Sequence, residues 1–177
     1  MQLNDKNYFQ IFSLPETFAL DVNQLNSAYR KLQDEVHPDR FANGTEAERL
    51  QAVQAASLLN QAFSTLDSSL LRAQYLLQLR GIDTERVDQS NLSPALLMEQ
   101  IQWRESLEEL PRDDSALPQL DALRCEVEDK LATEELEFAA TIKAADLQQA
   151  QQHFHAMQYM HKLRREIESV EEELLGY

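Results

Sequence analysis

Hydrophobic residues in the N-terminal half of the chain recur at helical spacing between clear stop signals. Asp21 and Thr45 each begin a capping-box pattern, and Pro15, Pro38 and Gly81 each follow a segment that they would end. The two long segments are joined by a polar loop and should lie antiparallel. Four helices are predicted: Asp5–Leu14, the segment between Asp21 and Pro38, Thr45–Asp67 and Leu70–Arg80.

The C-terminal half has longer helical patterns. Residues 82–92 are polar and lack a helical period, so we interpret them as a linker between one domain at residues 1–81 and another at residues 93–177. Three antiparallel helices of this length form a bundle. The predicted fold class is therefore all-α, a four-helix domain followed by a three-helix bundle over Ser93–Leu110, Leu117–Lys143 and Asp146–Leu175.

Composition supports a helical, packed protein and limits its partners. Hydrophobic residues make up 43% of the chain, and only three Gly and five Pro are present. The formal net charge of −15 disfavours binding to a nucleic-acid backbone or to an anionic membrane. Met1–Lys6 has no signal-peptide core, and no stretch approaches the roughly 20 apolar residues of a membrane span. Cys125 stands alone, so we expect a cytoplasmic protein without a disulfide or a cofactor.

His37-Pro38-Asp39 lies where the first long helix should end. By itself the tripeptide is a helix stop, in which Pro ends the helix, Asp caps a turn and His covers the last carbonyl groups. The tripeptide lies between two long amphipathic helices, after a short aromatic helix and before Phe41. This arrangement resembles the J-domain, which activates chaperone ATPases of the DnaK type. The resemblance implies that the tripeptide docks on such a chaperone together with Arg30, Lys31 and Arg40.

Some residues around the tripeptide depart from the J-domain pattern. Val36 replaces a common Tyr, and Asp34 and Glu35 lie where J-domains are often basic. Arg40 keeps the positive charge of a common Lys. Docking to an acidic chaperone surface is therefore expected to be specialised or weaker.

Catalysis and metal binding are disfavoured by the placement of the polar residues. His37 and Asp39 could act in acid–base chemistry, but no Ser or Cys nucleophile is placed beside them and no Gly-rich phosphate loop occurs. His153 and His155 are two residues apart on a predicted helix and face different directions, and His161 is also poorly spaced. We expect solvated or half-buried histidines and no enzymatic activity.

The predicted helix over Ser93–Leu110 has two apolar faces. The first would seat the helix in the bundle and comprises Leu96, Trp103, Leu107 and Leu110. The second apolar face is displaced around the helix, at about 100° per residue, and comprises Leu97, Met98 and Ile101, with Arg104 and Glu105 extending it. This second apolar face is either buried against the first domain or exposed to solvent. A small three-helix bundle has few surfaces against which a second apolar face could be buried. Exposed apolar groups rimmed by charge often mark protein-binding sites.

Leu97-Met98-Glu99-Gln100, after a J-domain-like segment and before a bundle, resembles the HscB-type co-chaperones of iron–sulfur cluster assembly. The resemblance covers essentially the whole chain, including the Arg72–Leu77 run and the acidic, leucine-containing Glu171–Leu175. It implies two partners, the iron–sulfur scaffold IscU and the DnaK-type chaperone HscA. The implied scaffold-binding residues are Leu97, Met98, Ile101, Arg104, Glu105 and Tyr159.

Two positions differ from the family at that scaffold-binding surface. An acidic family position falls on Gln102, which carries no charge, and the family's aromatic falls on Tyr159, which adds a hydroxyl. We predict that the chain delivers IscU to HscA and stimulates HscA to hydrolyse ATP. The alternatives are a general J-domain protein with another client, a self-associating helical scaffold, and an acidic nucleic-acid mimic. Stimulation of a chaperone ATPase would separate the IscU-delivering co-chaperone and the general J-domain protein from the other two alternatives. A pull-down with IscU would then separate the co-chaperone from the general J-domain protein.

Overall fold

A computed structural model describes residues 5–41, 44–84, 94–111 and 113–176, without the side chains of Pro38, Asp39, Ala95 and Asp114. The chain divides into two compact units, Met1–Leu79 and Arg80–Tyr177. Every α or β element within the described ranges is helical, so the predicted all-α class is confirmed. The predicted linker at residues 82–92 falls mainly on residues 85–93, which lie outside the described residues.

Four α-helices build the described part of the first unit. They are α1 (Tyr8–Ile11), α2 (Val22–Val36), α3 (Glu46–Asp67) and α4 (Ser69–Leu79), with a 3₁₀ turn at Pro38–Phe41 between α2 and α3. The predicted Asp5–Leu14 helix is too long. Asn7 forms a capping box with Gln10, and Ser13 has a left-handed φ of 55°, so α1 spans little more than one turn.

The other helix ends in this unit follow the predicted signals. The Asp21 side chain accepts the backbone N–H groups of Asn23 and Gln24 and caps α2. Thr45 and Glu48 form the predicted capping box of α3, and the hydrogen bonds from Thr45 lower the pKa of Glu48. Gly81 has a left-handed φ of 78° just after α4, a conformation that glycine adopts without steric cost.

Helices α2 and α3 lie antiparallel, as predicted. The Tyr29 ring stacks on Phe63 with ring centroids 4.2 Å apart, and the Tyr29 hydroxyl donates to Asn60 Oδ1 at 2.9 Å. The middle of α2 thus meets the C-terminal half of α3, while the turn at Pro38–Phe41 also packs on α3. The side chains that fill the core of this unit include Phe9, Leu25, Leu59, Leu66, Leu76 and Leu77.

Arg72 is a buried cation in α4, with only 7% of its surface exposed. Its Nη1 donates to the carbonyl of Leu66 near the end of α3, and its guanidinium carbon lies 5.1 Å from the ring centroid of Phe18. Cations stabilise helix C-termini and are attracted to aromatic faces. Arg72 therefore fastens α4 and the Phe18 segment to α3.

Three long α-helices build the described part of the second unit: α5 (Pro94–Glu108), α6 (Leu117–Lys143) and α7 (Leu147–Leu175). These bounds agree closely with the predicted ones. A tight turn joins α6 to α7, in which Ala145 has a φ of 59° and Asp146 accepts the backbone N–H of Gln149. The α6–α7 interface is the best-packed part of this unit, with buried Val127, Phe138, Phe154, Met157, Met160, Leu163 and Ile167.

The histidines of α7 differ in burial. His153 and His161 are half-buried, as predicted, and burial, with the nearby Arg164 cation, lowers the pKa of His161. The same prediction is wrong for His155, which is 4% exposed. Its Nδ1 lies 3.0 Å from Gln158 Oε1, so the Gln158 side chain provides a hydrogen-bond partner for this nitrogen of the buried ring. None of the described helices is both long and apolar enough to cross a membrane.

Candidate functional site

The His-Pro-Asp tripeptide forms the connection between α2 and α3. Helix α2 ends at the buried Val36, because His37 precedes a proline and adopts a ψ of 128°. In the 3₁₀ turn that follows, the Arg40 amide donates to the His37 carbonyl at 3.0 Å. The His37 side chain is exposed, whereas the predicted contacts of the Pro38 and Asp39 side chains lie outside what the structure describes. The backbone thus presents His37 at the end of the helix pair.

Basic side chains lie both on α2, which precedes this turn, and on the turn itself. Arg40 Nη1 donates to the carbonyl of Asp34 at 3.1 Å, which ties the turn to the last turn of α2. Arg30 and Lys31 are exposed, and neither pairs with a carboxylate in the part of the chain that the structure describes. Glu35 is also exposed nearby, so this surface carries charges of both signs.

The second apolar face lies on the outside of α5. Leu97, Met98 and Ile101 are 40%, 58% and 52% exposed, whereas Leu96, on the other side of the helix, is 7% exposed. Large apolar side chains at neighbouring helical positions form one continuous surface. Their exposure favours the protein-binding interpretation over a helix that is buried on two sides.

Charged and polar residues continue this surface along α5. Gln102, Arg104 and Glu105 are all exposed. Arg104 lies three residues after Ile101 and Glu105 four residues after it, so both extend the side of the helix that carries Ile101. The apolar face therefore ends at a charged rim of both signs, an arrangement typical of interfaces between proteins.

Tyr159 on α7 meets α5 from its inner side. Its hydroxyl donates to the backbone carbonyl of Gln100 at 2.9 Å, and its ring stacks on Trp103 with ring centroids 6.4 Å apart. Burial raises the pKa of Tyr159, although the nearby Arg104 cation opposes this change. The structure thus brings Tyr159 beside the helix that carries the second apolar face, while its hydroxyl is already bonded within the protein.

An ionic network, formed by Glu99, Lys130, Glu134 and His153, fastens α5 to the other two helices. Lys130 Nζ lies 3.1 Å from Glu99 Oε2 on α5 and 3.5 Å from Glu134 Oε1 on α6. Glu134 Oε2 lies 2.7 Å from His153 Nδ1 on α7. Burial lowers the pKa of Lys130, but the two carboxylates outweigh this effect, and the pKa is raised overall. Sequence reasoning missed the network because Glu99 and Lys130 are 31 positions apart.

The described residues offer no group of three His, Cys, Asp or Glu side chains that could hold a metal ion. The predicted site residues of the first unit surround one helix-to-helix turn, and those of the second unit lie along α5 or against it.

Comparisons with known proteins agree with this organisation. A family model described as the HSCB C-terminal oligomerisation domain matches residues 92–168. The chain is 40% identical to the "Co-chaperone protein HscB homolog" of Paraburkholderia phymatum over 93% of both sequences. It superposes on the solved chaperone HscB of Vibrio cholerae with a TM-score of 0.84 at 35% identity, covering 96% of this chain and 99% of that one. Human co-chaperone HscB shares the fold, with a TM-score of 0.86 at 24% identity over 94% of this chain and 82% of that one.

Proposed function

The chain belongs to the HscB family of co-chaperones, and we propose that it delivers the scaffold IscU to the chaperone HscA and stimulates ATP hydrolysis there. In this role it is a cytoplasmic, protein-binding adaptor that catalyses no reaction of its own and supports iron–sulfur cluster assembly and transfer. The observation that carries the proposal is the presence, in one chain, of an exposed His37 between paired helices and an exposed second apolar face.

The chaperone-binding surface in this proposal is the end of the α2–α3 pair. His37, Pro38 and Asp39 contact HscA, and Arg30, Lys31 and Arg40 provide the charge that orients the encounter. The bond from Arg40 to the Asp34 carbonyl supports this role because it holds the turn against the end of α2. Exposed Arg30 and Lys31 lack carboxylate partners among the described residues and can pair with acidic groups of a partner.

The scaffold-binding surface in this proposal is the second apolar face with its rim. Leu97, Met98 and Ile101 act as apolar anchors, and burying such side chains against a partner removes them from water. Arg104 and Glu105 set the orientation of IscU, and the half-buried ring of Tyr159 borders the contact. Because one chain carries both surfaces, binding IscU raises its effective concentration at HscA.

Self-association is a second candidate function of the same face, since the matched C-terminal model is described as an oligomerisation domain. The two candidates differ in an observable way. If a second copy covers Leu97, Met98 and Ile101, IscU binding weakens as the concentration of this protein rises. If the face serves IscU alone, affinity does not depend on that concentration. Sedimentation of the protein alone and with IscU distinguishes the two cases.

A fragment from Leu92 to Tyr177 is expected to fold, to bind IscU and to leave the HscA ATPase unstimulated. The compact unit Arg80–Tyr177 and its buried α6–α7 core support independent folding. Circular dichroism, an IscU titration and an ATPase assay test the three parts. The complementary fragment, residues 1–81, is the matched control: it should stimulate HscA, and its effect and that of IscU should only add. A Leu92–Tyr177 fragment that is unfolded would mean that the two halves share one core.

A further inference from the structure

Helix α5 is held to the rest of its unit differently from α6 and α7. The α6–α7 interface has fully buried side chains such as Phe138 and Phe154, whereas on α5 the residues of the first apolar face beyond Leu96 are only half-buried. Two directional contacts from the described residues reach the middle of α5: Lys130 pairs with Glu99, and the Tyr159 hydroxyl donates to the Gln100 carbonyl. Hydrogen bonds and ion pairs fix orientation more narrowly than partial apolar contact does.

These two contacts meet α5 at consecutive residues in the middle of its scaffold-binding segment. Glu99 and Gln100 lie between Met98 and Ile101 in the sequence. A helix turns by about 100° per residue, so fixing two consecutive positions against α6 and α7 fixes the rotation of the whole segment. With that rotation, the second apolar face points to solvent.

We propose that Lys130 and the Tyr159 hydroxyl are positioning residues that set the rotation of α5 and so present Leu97, Met98 and Ile101 to the scaffold. This inference rests on the proposed function only for the identity of the occupant. Lys130 acts through Glu99, and Glu134, held by His153, keeps the Lys130 ammonium group in place. Tyr159 acts through the Gln100 carbonyl, so its hydroxyl is an internal contact and not an added group for the client.

The matched variants are Lys130→Met and Tyr159→Phe, alone and together, because each removes a polar contact and keeps much of the side chain. Lys143→Met is the control, since it removes one positive charge from an exposed position of the same helix. Each single variant should weaken IscU binding about threefold, and the double variant about tenfold, as expected for partly exposed polar contacts. Lys143→Met should bind as the parent does, and Lys130→Arg should restore affinity. Glu99→Gln added to Lys130→Met should cause no further loss.

Hydrogen exchange of the α5 amides tests the positioning without any client. Amides from Leu97 to Glu105 should exchange faster in the double variant than in the parent, while α6 and α7 amides keep their protection. Unchanged α5 exchange, or an equal loss of IscU affinity in Lys143→Met, would overturn the inference. If the parent itself fails to bind IscU, the proposed function fails, and the exchange result alone decides whether these residues position α5.

Discussion

We expect His37→Gln to abolish stimulation of the HscA ATPase while leaving the fold and IscU binding unchanged. The backbone at this position caps α2 and its carbonyl accepts the Arg40 amide, and neither interaction needs the imidazole. The side chain is exposed, so replacing it with another polar side chain should change the free energy of unfolding by less than about 0.5 kcal/mol. Steady-state ATP hydrolysis by HscA, with increasing variant, measures the effect.

The matched control for this variant is the same substitution in the other unit. His161→Gln changes a half-buried residue of α7 that has no part in the proposed chaperone contact. It should stimulate HscA as the parent does. If His37→Gln also stimulates normally, the assignment of this turn as the chaperone-activating site is wrong.

Replacing Leu97, Met98 and Ile101 together with Ala should remove most IscU affinity without destabilising the free protein. Central apolar anchors at protein interfaces are worth about 1–3 kcal/mol each when truncated, so three of them should weaken binding at least about 100-fold. Because all three are exposed in the free protein, their truncation leaves no internal cavity. Denaturant unfolding and IscU titration, run on the same preparations, measure both quantities.

The control for the triple variant has to be a true core residue. Leu107 is suggested by the sequence, but it is only half-buried in the structure. Leu163 is 1% exposed within the α6–α7 core, and Leu163→Ala should lower the free energy of unfolding by about 2–5 kcal/mol. A triple variant that unfolds as early as Leu163→Ala would mean that the second apolar face is buried and that IscU binds elsewhere.

The parts of the fold that the sequence predicts correctly are those set by interactions between residues close together in the sequence. The α3 start follows from Thr45 and Glu48, which bond to each other within one turn, and the α6 bounds Leu117–Lys143 match the predicted ones. Where short-range signals compete, prediction fails. The apolar spacing around Tyr8 predicts a longer α1, but the Asn7 cap and the left-handed Ser13 limit it.

The candidate site could be predicted only in part, for a similar reason. The second apolar face and the His-Pro-Asp tripeptide are local patterns, and the structure shows Leu97, Met98, Ile101 and His37 exposed. The ionic network and the bond from Tyr159 to the Gln100 carbonyl join residues far apart in sequence, which no periodicity reveals. The burial of His155 depends on tertiary packing and was likewise not predictable from spacing.

The mixed charge of α2 has a consequence for chaperone choice. Arg30 and Lys31 are exposed beside Asp34 and Glu35, whereas a uniformly basic helix would attract any acidic chaperone surface. Electrostatic complementarity affects association rates and partner choice more than it affects affinity. This mixed charge is consistent with the expectation of specialised or weaker docking to an acidic chaperone surface.

Steady-state ATP hydrolysis by HscA, measured with this protein, with IscU, and with both, tests whether the chain delivers IscU to HscA. We expect modest stimulation by this protein alone and a larger rate with both than the sum of the separate effects, because the adaptor brings IscU to HscA. A rate that this protein leaves unchanged, with or without IscU, would show that it is not a co-chaperone of HscA.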